Sequence, residues 1–149
     1  MSTRVCPHHP RGYPCTCGMG HLYRFVEPVL LLLLKKKRSS YGYELVSEVP
    51  AMALTDAEIE AAALYRTLRQ LEKNGCVVSE WDTQHSGPAR RVYALTARGE
   101  EHLEEWVDVL EHVSISMTRL VRSARVELEN DEGRSKTEQG LAAVASGSA

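Results

Sequence analysis

From Leu103 to Leu128 apolar side chains recur at Leu103, Val107, Leu110, Val113, Met117, Val121, Ala124 and Leu128. The steps are all three or four residues, the near-heptad period of a helix that buries one seam against another helix. The pattern predicts one helix over residues 97–129, with Thr96 able to cap its start. In a chain of 149 residues, a helix of that length cannot bury its seam on its own small domain. A partner chain is the expected cover. Leu103, Val107, Leu110, Met117, Val121, Ala124 and Leu128 are therefore candidate homodimer-interface residues.

What precedes this helix reads as three shorter helices and a hairpin. Val29 to Leu34 is apolar on every side, so a helix starting near Pro28 should lie buried between neighbours. Proline suits its first turn, and Lys35, Lys36, Lys37 and Arg38 suit its carboxyl end. Ser39 and Ser40 break the chain, and a short helix is expected over about Tyr41 to Val49, with Pro50 just past its end. Thr55 and Glu58 have capping-box spacing and predict the start of a third helix, with Gly75 at its end. Leu64, Leu68 and Leu71 make one apolar stripe in it. Arg66, Gln70 and Lys73 fall on the opposite face, with Arg69 beside them. Two strand-like runs follow, Cys76–Trp81 and Arg91–Leu95, joined by a polar loop with Gly87-Pro88 and Arg90. They predict a β-hairpin with a basic tip.

The net charge of −2 is unevenly spread. Residues 21–98 carry 11 Lys/Arg against 9 Asp/Glu, whereas residues 99–132 carry 3 against 10. The front half can face a polyanion, and the acidic back half should point away from it. The longest apolar run is too short to cross a bilayer. Its basic cluster follows rather than precedes it, so a signal peptide is not expected and the cytoplasm is the expected compartment. Residues 1–21 read as an irregular Cys/His-rich arm, and residues 130–149, small and polar, as a disordered tail. Cys6, Cys15 and Cys17 with His8 or His21 (His9 lies beside them) could complete a Cys₃His zinc set. An iron–sulfur cluster completed by Cys76, and haem at Cys6-Pro7, are weaker options. A flexible arm with reduced cysteines is the plain alternative.

Together these elements make a mainly α fold with a small β-hairpin: a winged helix-turn-helix (residues 22–96) with a long C-terminal dimerisation helix. At this point the chain resembles the PadR family of transcriptional regulators. The resemblance rests on Tyr41-Gly42-Tyr43-Glu44-Leu45, Leu64-Tyr65 through Leu68, Leu71-Glu72 and Gly75. It continues in Ser79-Glu80-Trp81, Gly87-Pro88, Arg90-Arg91, Tyr93, Leu95-Thr96 and Gly99. It covers roughly residues 22–128 and is similar to the shorter class of the family, with one terminal helix. Ala62-Ala63 and Arg66 depart from the Gly-Thr and Pro that often flank the Leu-Tyr pair.

The resemblance implies a DNA-binding repressor, not an enzyme, that reads a palindromic duplex operator as a homodimer. Tyr65, Arg66, Arg69, Gln70 and Lys73 are the expected readers in the major groove. Tyr41 and Tyr43 would approach the backbone, and Arg90 and Arg91 the minor groove or phosphates. The family's usual effectors are small organic molecules, some bound at the dimer interface on an aromatic residue of the terminal helix. That makes Trp106 the candidate effector residue, with core or interface packing as its plainer role. Two further readings compete: a winged-helix protein-interaction module without DNA binding, and a repressor answering organic effectors with no metal.

Overall fold

The computed structural model describes residues 25–54 and 58–147. The chain runs α1 (Val26–Lys37), β1 (Ser39–Tyr41), α2 (Gly42–Met52), α3 (Ala61–Lys73), β2 (Val77–Asp82), β3 (Arg90–Leu95) and α4 (Ala97–Ser146). The described residues divide into two compact units, the first ending at Trp106 and the second starting at Val107.

The first unit is built around α1. Val26, Val29, Leu30, Leu31, Leu33 and Leu34 are all buried, so the helix is enclosed on most of its circumference. Pro28 and Glu27 occupy its first turn and three lysines its last. Leu45 and Val49 of α2, Leu64, Leu68 and Leu71 of α3, and Val77 and Tyr93 of the sheet complete the core. Each such leucine contributes about 1.5–3 kcal/mol by burial. The sheet has the order β1-β3-β2, antiparallel throughout. In its ladder Val77 lies opposite Leu95, Ser79 opposite Tyr93 and Trp81 opposite Arg91. One face of the hairpin therefore passes from buried to exposed toward the tip.

Two junctions set the hairpin on the helices. At the end of α3 the N–H of Gly75 donates to Glu72 O at 3.0 Å and that of Cys76 to Leu71 O at 2.9 Å. This is a Schellman closure, and it needs the left-handed φ of 77° that Gly75 adopts. At the start of α4 the Thr96 hydroxyl accepts the Gly99 N–H at 3.0 Å and donates to Gly75 O at 2.6 Å. Thr96 thus caps α4, as expected, and ties it to the turn after α3.

Several boundaries differ from the sequence expectation. A third strand, β1, occupies Ser39–Tyr41 where only a break was expected. Three residues are too few to show alternation. Helix α2 runs on to Met52 with Pro50 inside it. Proline removes one N–H there, but the Ala53 N–H still reaches Val49 O at 2.9 Å. Helix α3 begins at Ala61 rather than at a Thr55–Glu58 capping box. Glu58 precedes the helix and Thr55 lies outside the described residues. The Glu60 carbonyl closes the first turn by accepting from Ala63 and Leu64, and the strong helix formers Ala61-Ala62-Ala63 carry it. Strand β2 is shifted by one residue, to Val77–Asp82, and β3 starts one residue earlier, at Arg90, and ends at Leu95 as expected.

In the second unit the helix continues to Ser146, so the described part of residues 130–149 is helical where a disordered tail was expected. Glu, Lys, Arg, Gln, Ala and Leu in that stretch favour helix locally. Val107, Val109, Ile115, Met117, Leu120, Val121, Val126 and Leu128 are exposed along it. Among the described residues no helix is long and apolar enough to cross a membrane.

Candidate nucleic-acid interface

Helix α3 presents two faces because its stripes differ in chemistry. Leu64, Leu68 and Leu71 are buried. Arg66, Arg69, Gln70 and Lys73 are all exposed. Gln70 Nε2 donates to Asn74 Oδ1 at 3.0 Å. Among the described residues Arg66, Arg69 and Lys73 make no ion pair. Their guanidinium and ammonium donors are directed to solvent.

Tyr65 is half-buried against the core. Its ring lies beside Gly42 at the start of α2, where a Cβ would stand 3.0 Å from Tyr65 Cε1 and 3.2 Å from Tyr93 Cε2. The missing side chain lets α2 and α3 approach there. Between them and the wing lies an open cleft of about 370 Å³. Tyr43, Tyr65, Trp81 and Tyr93 supply aromatic surface to it, and Arg69, Arg90 and Arg91 supply positive charge.

The expected tyrosines and wing arginines divide into two groups. Tyr41 and Tyr43 stack with centroids 5.5 Å apart, and the Arg90 guanidinium lies 5.6 Å from the Tyr43 ring centroid and 5.9 Å from that of Tyr41. The Tyr41 hydroxyl donates to Asp82 Oδ2 at 2.7 Å. That bond, then the Gln84 N–H, holds the Asp82 carboxyl below its ordinary range. Arg91 turns instead to α3, pairing with Glu72 at 3.1 Å. Arg90 is exposed and Arg91 only partly so. Asp82, Glu72 and Ser79 were not singled out from sequence as site residues. Their partners lie on other elements, at separations that no helical or strand period marks.

Of the expected interface residues, Leu103 packs against the core of the first unit, and Val107, Met117, Val121, Ala124 and Leu128 are exposed in this single chain. Leu110 is half-buried and, with Val107, Ser114 and Ile115, lines a shallow apolar groove on α4. Trp106 belongs to the first unit. Its ring meets Phe25 edge-on at 6.1 Å, and its Nε1 donates to Glu27 Oε1 at 3.2 Å. The arm residues Cys6, His8, Cys15, Cys17 and His21 lie outside the described residues. Cys76 is buried, and burial pushes its thiol up. Among the described residues no cluster of His, Cys, Asp and Glu forms a metal site.

The stem of α4 carries a titrating group. His102 lies between Glu105, 3.0 Å from Nδ1, and Glu27, which Nε2 contacts. Hydrogen bonds to Glu105 and then to Glu27 raise its pKa above the ordinary 6.5. Because the folded value is the higher one, the stabilisation is complete below the ordinary pKa. It is lost as pH rises through the raised value. Thermal midpoints are expected to fall from about pH 6 to about pH 8, and the His102→Asn variant to show a flatter profile over that range.

Two helices of a helix-turn-helix, a β-wing and a long terminal helix define a winged-helix transcription regulator. A family model described as "Transcriptional regulator PadR-like family" matches residues 29–105, from α1 through the stem of α4. The chain belongs to this family. It is 30% identical over 105 residues to an uncharacterised protein of Lysinibacillus sphaericus, covering 68% of this chain and 92% of the relative. Among solved structures it is similar to a conserved protein described as a potential transcriptional factor, with a TM-score of 0.64 and 29% identity over 74% of this chain and 96% of that one. A PadR family transcriptional regulator from Eggerthella lenta matches with a TM-score of 0.55 and 26% identity, covering 70% and 91%.

Proposed function

We propose that this regulator binds a palindromic duplex operator as a homodimer and acts as a repressor. The observation that carries the reading is the exposed front of α3. Arg66, Arg69, Gln70 and Lys73 are exposed on it, the three cations without an ion pair among the described residues, while its leucine back is locked in the core. Arginine can bridge guanine O6 and N7, and glutamine adenine N6 and N7, in a groove wide enough for a helix. Arg90, exposed on the wing, offers a second contact beside it.

The homodimer brings two α3 helices to half-sites about one helical turn apart. The seam of α4 supports it. Leu103 and Leu128, Val107 and Ala124, and Leu110 and Val121 are pairs equidistant from one midpoint, and Met117 falls opposite Ser114, the residue after the seam's Val113. A seam symmetric about its centre is self-complementary in an antiparallel two-fold pairing. Metal or redox gating through the Cys/His arm rests on ligand chemistry in the sequence alone.

The test is binding of the full chain to duplexes it selects from a random pool, followed across salt concentration. Affinity is expected to fall steeply with salt, because phosphate contacts release counterions. Arg66→Ala and Arg90→Ala are each expected to cost about tenfold or more with unchanged circular dichroism. A chain that selects no duplex, or wild-type affinity in both variants, sinks the reading. Binding to a protein with no salt-dependent duplex binding would favour an interaction module.

A further inference from the structure

Glu72 of α3, Ser79 of β2 and Arg91 of β3 close a triangle of hydrogen bonds. Arg91 Nη2 donates to Glu72 Oε2 at 3.1 Å, and Arg91 Nε donates to Ser79 Oγ at 2.7 Å. The Ser79 hydroxyl donates in turn to Glu72 Oε1. The Arg91 guanidinium also lies 5.5 Å from the centroid of Trp81, its cross-strand neighbour, and 5.9 Å from that of Tyr93. The pair is partly dehydrated, with side-chain exposures of 39% for Arg91 and 29% for Glu72. It is therefore screened less than a surface ion pair.

We infer that this triad is a strut that fixes the wing against the recognition helix, and that Arg91 is a positioning residue rather than a nucleic-acid contact. The inference rests on the duplex-reading proposal and refines it. Two of the Arg91 nitrogens and both Glu72 oxygens are committed within the protein. The two neighbouring arginines divide the work: Arg90 stacks on Tyr43 beside the tip, and Arg91 faces α3. The Glu72 carboxylate on this surface repels phosphates, so any benefit it brings to binding comes through geometry. Fixing the angle between α3 and the wing lets both elements meet their grooves at once, with less ordering required on binding.

The sign of the Glu72→Gln effect decides the matter. If charge alone matters, removing an acid beside a polyanion tightens binding. As a strut, Glu72→Gln weakens binding to the selected duplex by about tenfold, because a charge-assisted hydrogen bond is lost. The slope of affinity against salt stays at the wild-type value. Arg91→Lys, which keeps the charge and loses the two-point geometry, weakens binding likewise. Ser79→Ala, the mildest change, moves affinity in the same direction by less. Circular dichroism confirms that each variant remains folded. Tighter or unchanged binding by Glu72→Gln overturns the strut. So does a salt slope reduced by about one in Arg91→Ala, which would make Arg91 a phosphate contact. If wild-type chain binds no duplex, the functional reading fails first, and that outcome is separate from either of these.

Discussion

Gly99→Ala is expected to destabilise the first unit by about 3 kcal/mol or more, with a fall of about ten degrees or more in the thermal midpoint. A Cβ at this position would stand 2.0 Å from the Cys76 carbonyl oxygen, 2.7 Å from Leu95 Cδ1 and 3.0 Å from Cys76 C. Two of those atoms are backbone, so a side-chain rotation cannot relieve the contact. The Cys76 carbonyl also accepts the Thr96 N–H at 3.1 Å. Moving α4 away from it pulls on the Thr96 cap, the Gly75 turn and the first pair of the β2–β3 ladder together. The lost stability is a large fraction of the total for a small domain. Gly133→Ala is the matched control. It lies within α4, nothing stands within 4 Å of the place a Cβ would take, and the substitution should favour helix slightly. Thermal unfolding by circular dichroism reads both, and a wild-type midpoint for Gly99→Ala would contradict the packing of α4 on the Cys76 carbonyl.

The sequence made the fold legible wherever burial leaves a period. The Leu64, Leu68 and Leu71 stripe could be read because a buried face repeats every three or four residues, and the same period marks the seam of α4, which is exposed in the single chain. The Gly75 stop and the Thr96 cap were readable for a different reason: each has a local chemistry that few residues can replace. Strand β1 left no such mark. It is three residues long, Ser40 within it is buried and bonded to Glu44, and its identity comes from pairing with β3, which lies beyond two helices and another strand in the chain. The start of α3 misled because a capping-box spacing at Thr55 and Glu58 is a local signal that the fold does not use at Glu58.

The candidate site was legible in part for the same reason. Arg66, Arg69, Gln70 and Lys73 could be grouped on one face by helical geometry alone. The different fates of Arg90 and Arg91 could not be read, since they depend on which acid or ring each meets. The family resemblance marks Leu71-Glu72 but gives Glu72 no task. Its task appears only when β3 lays Arg91 beside it.

A carboxylate placed in the seam of α4 is expected to have the largest effect on the proposed assembly, and a charge exchange beside the seam to report its direction. In an antiparallel pairing through the symmetric seam, Glu104 of one chain approaches Arg125 of the other, because both flank the seam on the same side. In a parallel pairing the acidic stretch from Glu100 to Glu111 would lie against itself, and Arg119, Arg122 and Arg125 against themselves. Among the described residues those three arginines make no ion pair within the chain. Leu110→Glu places a carboxylate in the seam twice, once from each chain, and should weaken the dimer by roughly a hundredfold or more. Arg125→Glu alone should weaken it by a smaller factor through like-charge repulsion, and Glu104→Arg alone likewise. The double variant restores opposite charges across an antiparallel seam and should recover most of the loss. Sedimentation over a range of concentrations reads all four. Recovery in the double variant requires the antiparallel register, because a parallel pair would keep Glu104 and Arg125 on separate levels. Wild-type association by Leu110→Glu would remove α4 from the dimer interface. A loss that the double variant fails to recover would leave the seam in place and reject the antiparallel direction.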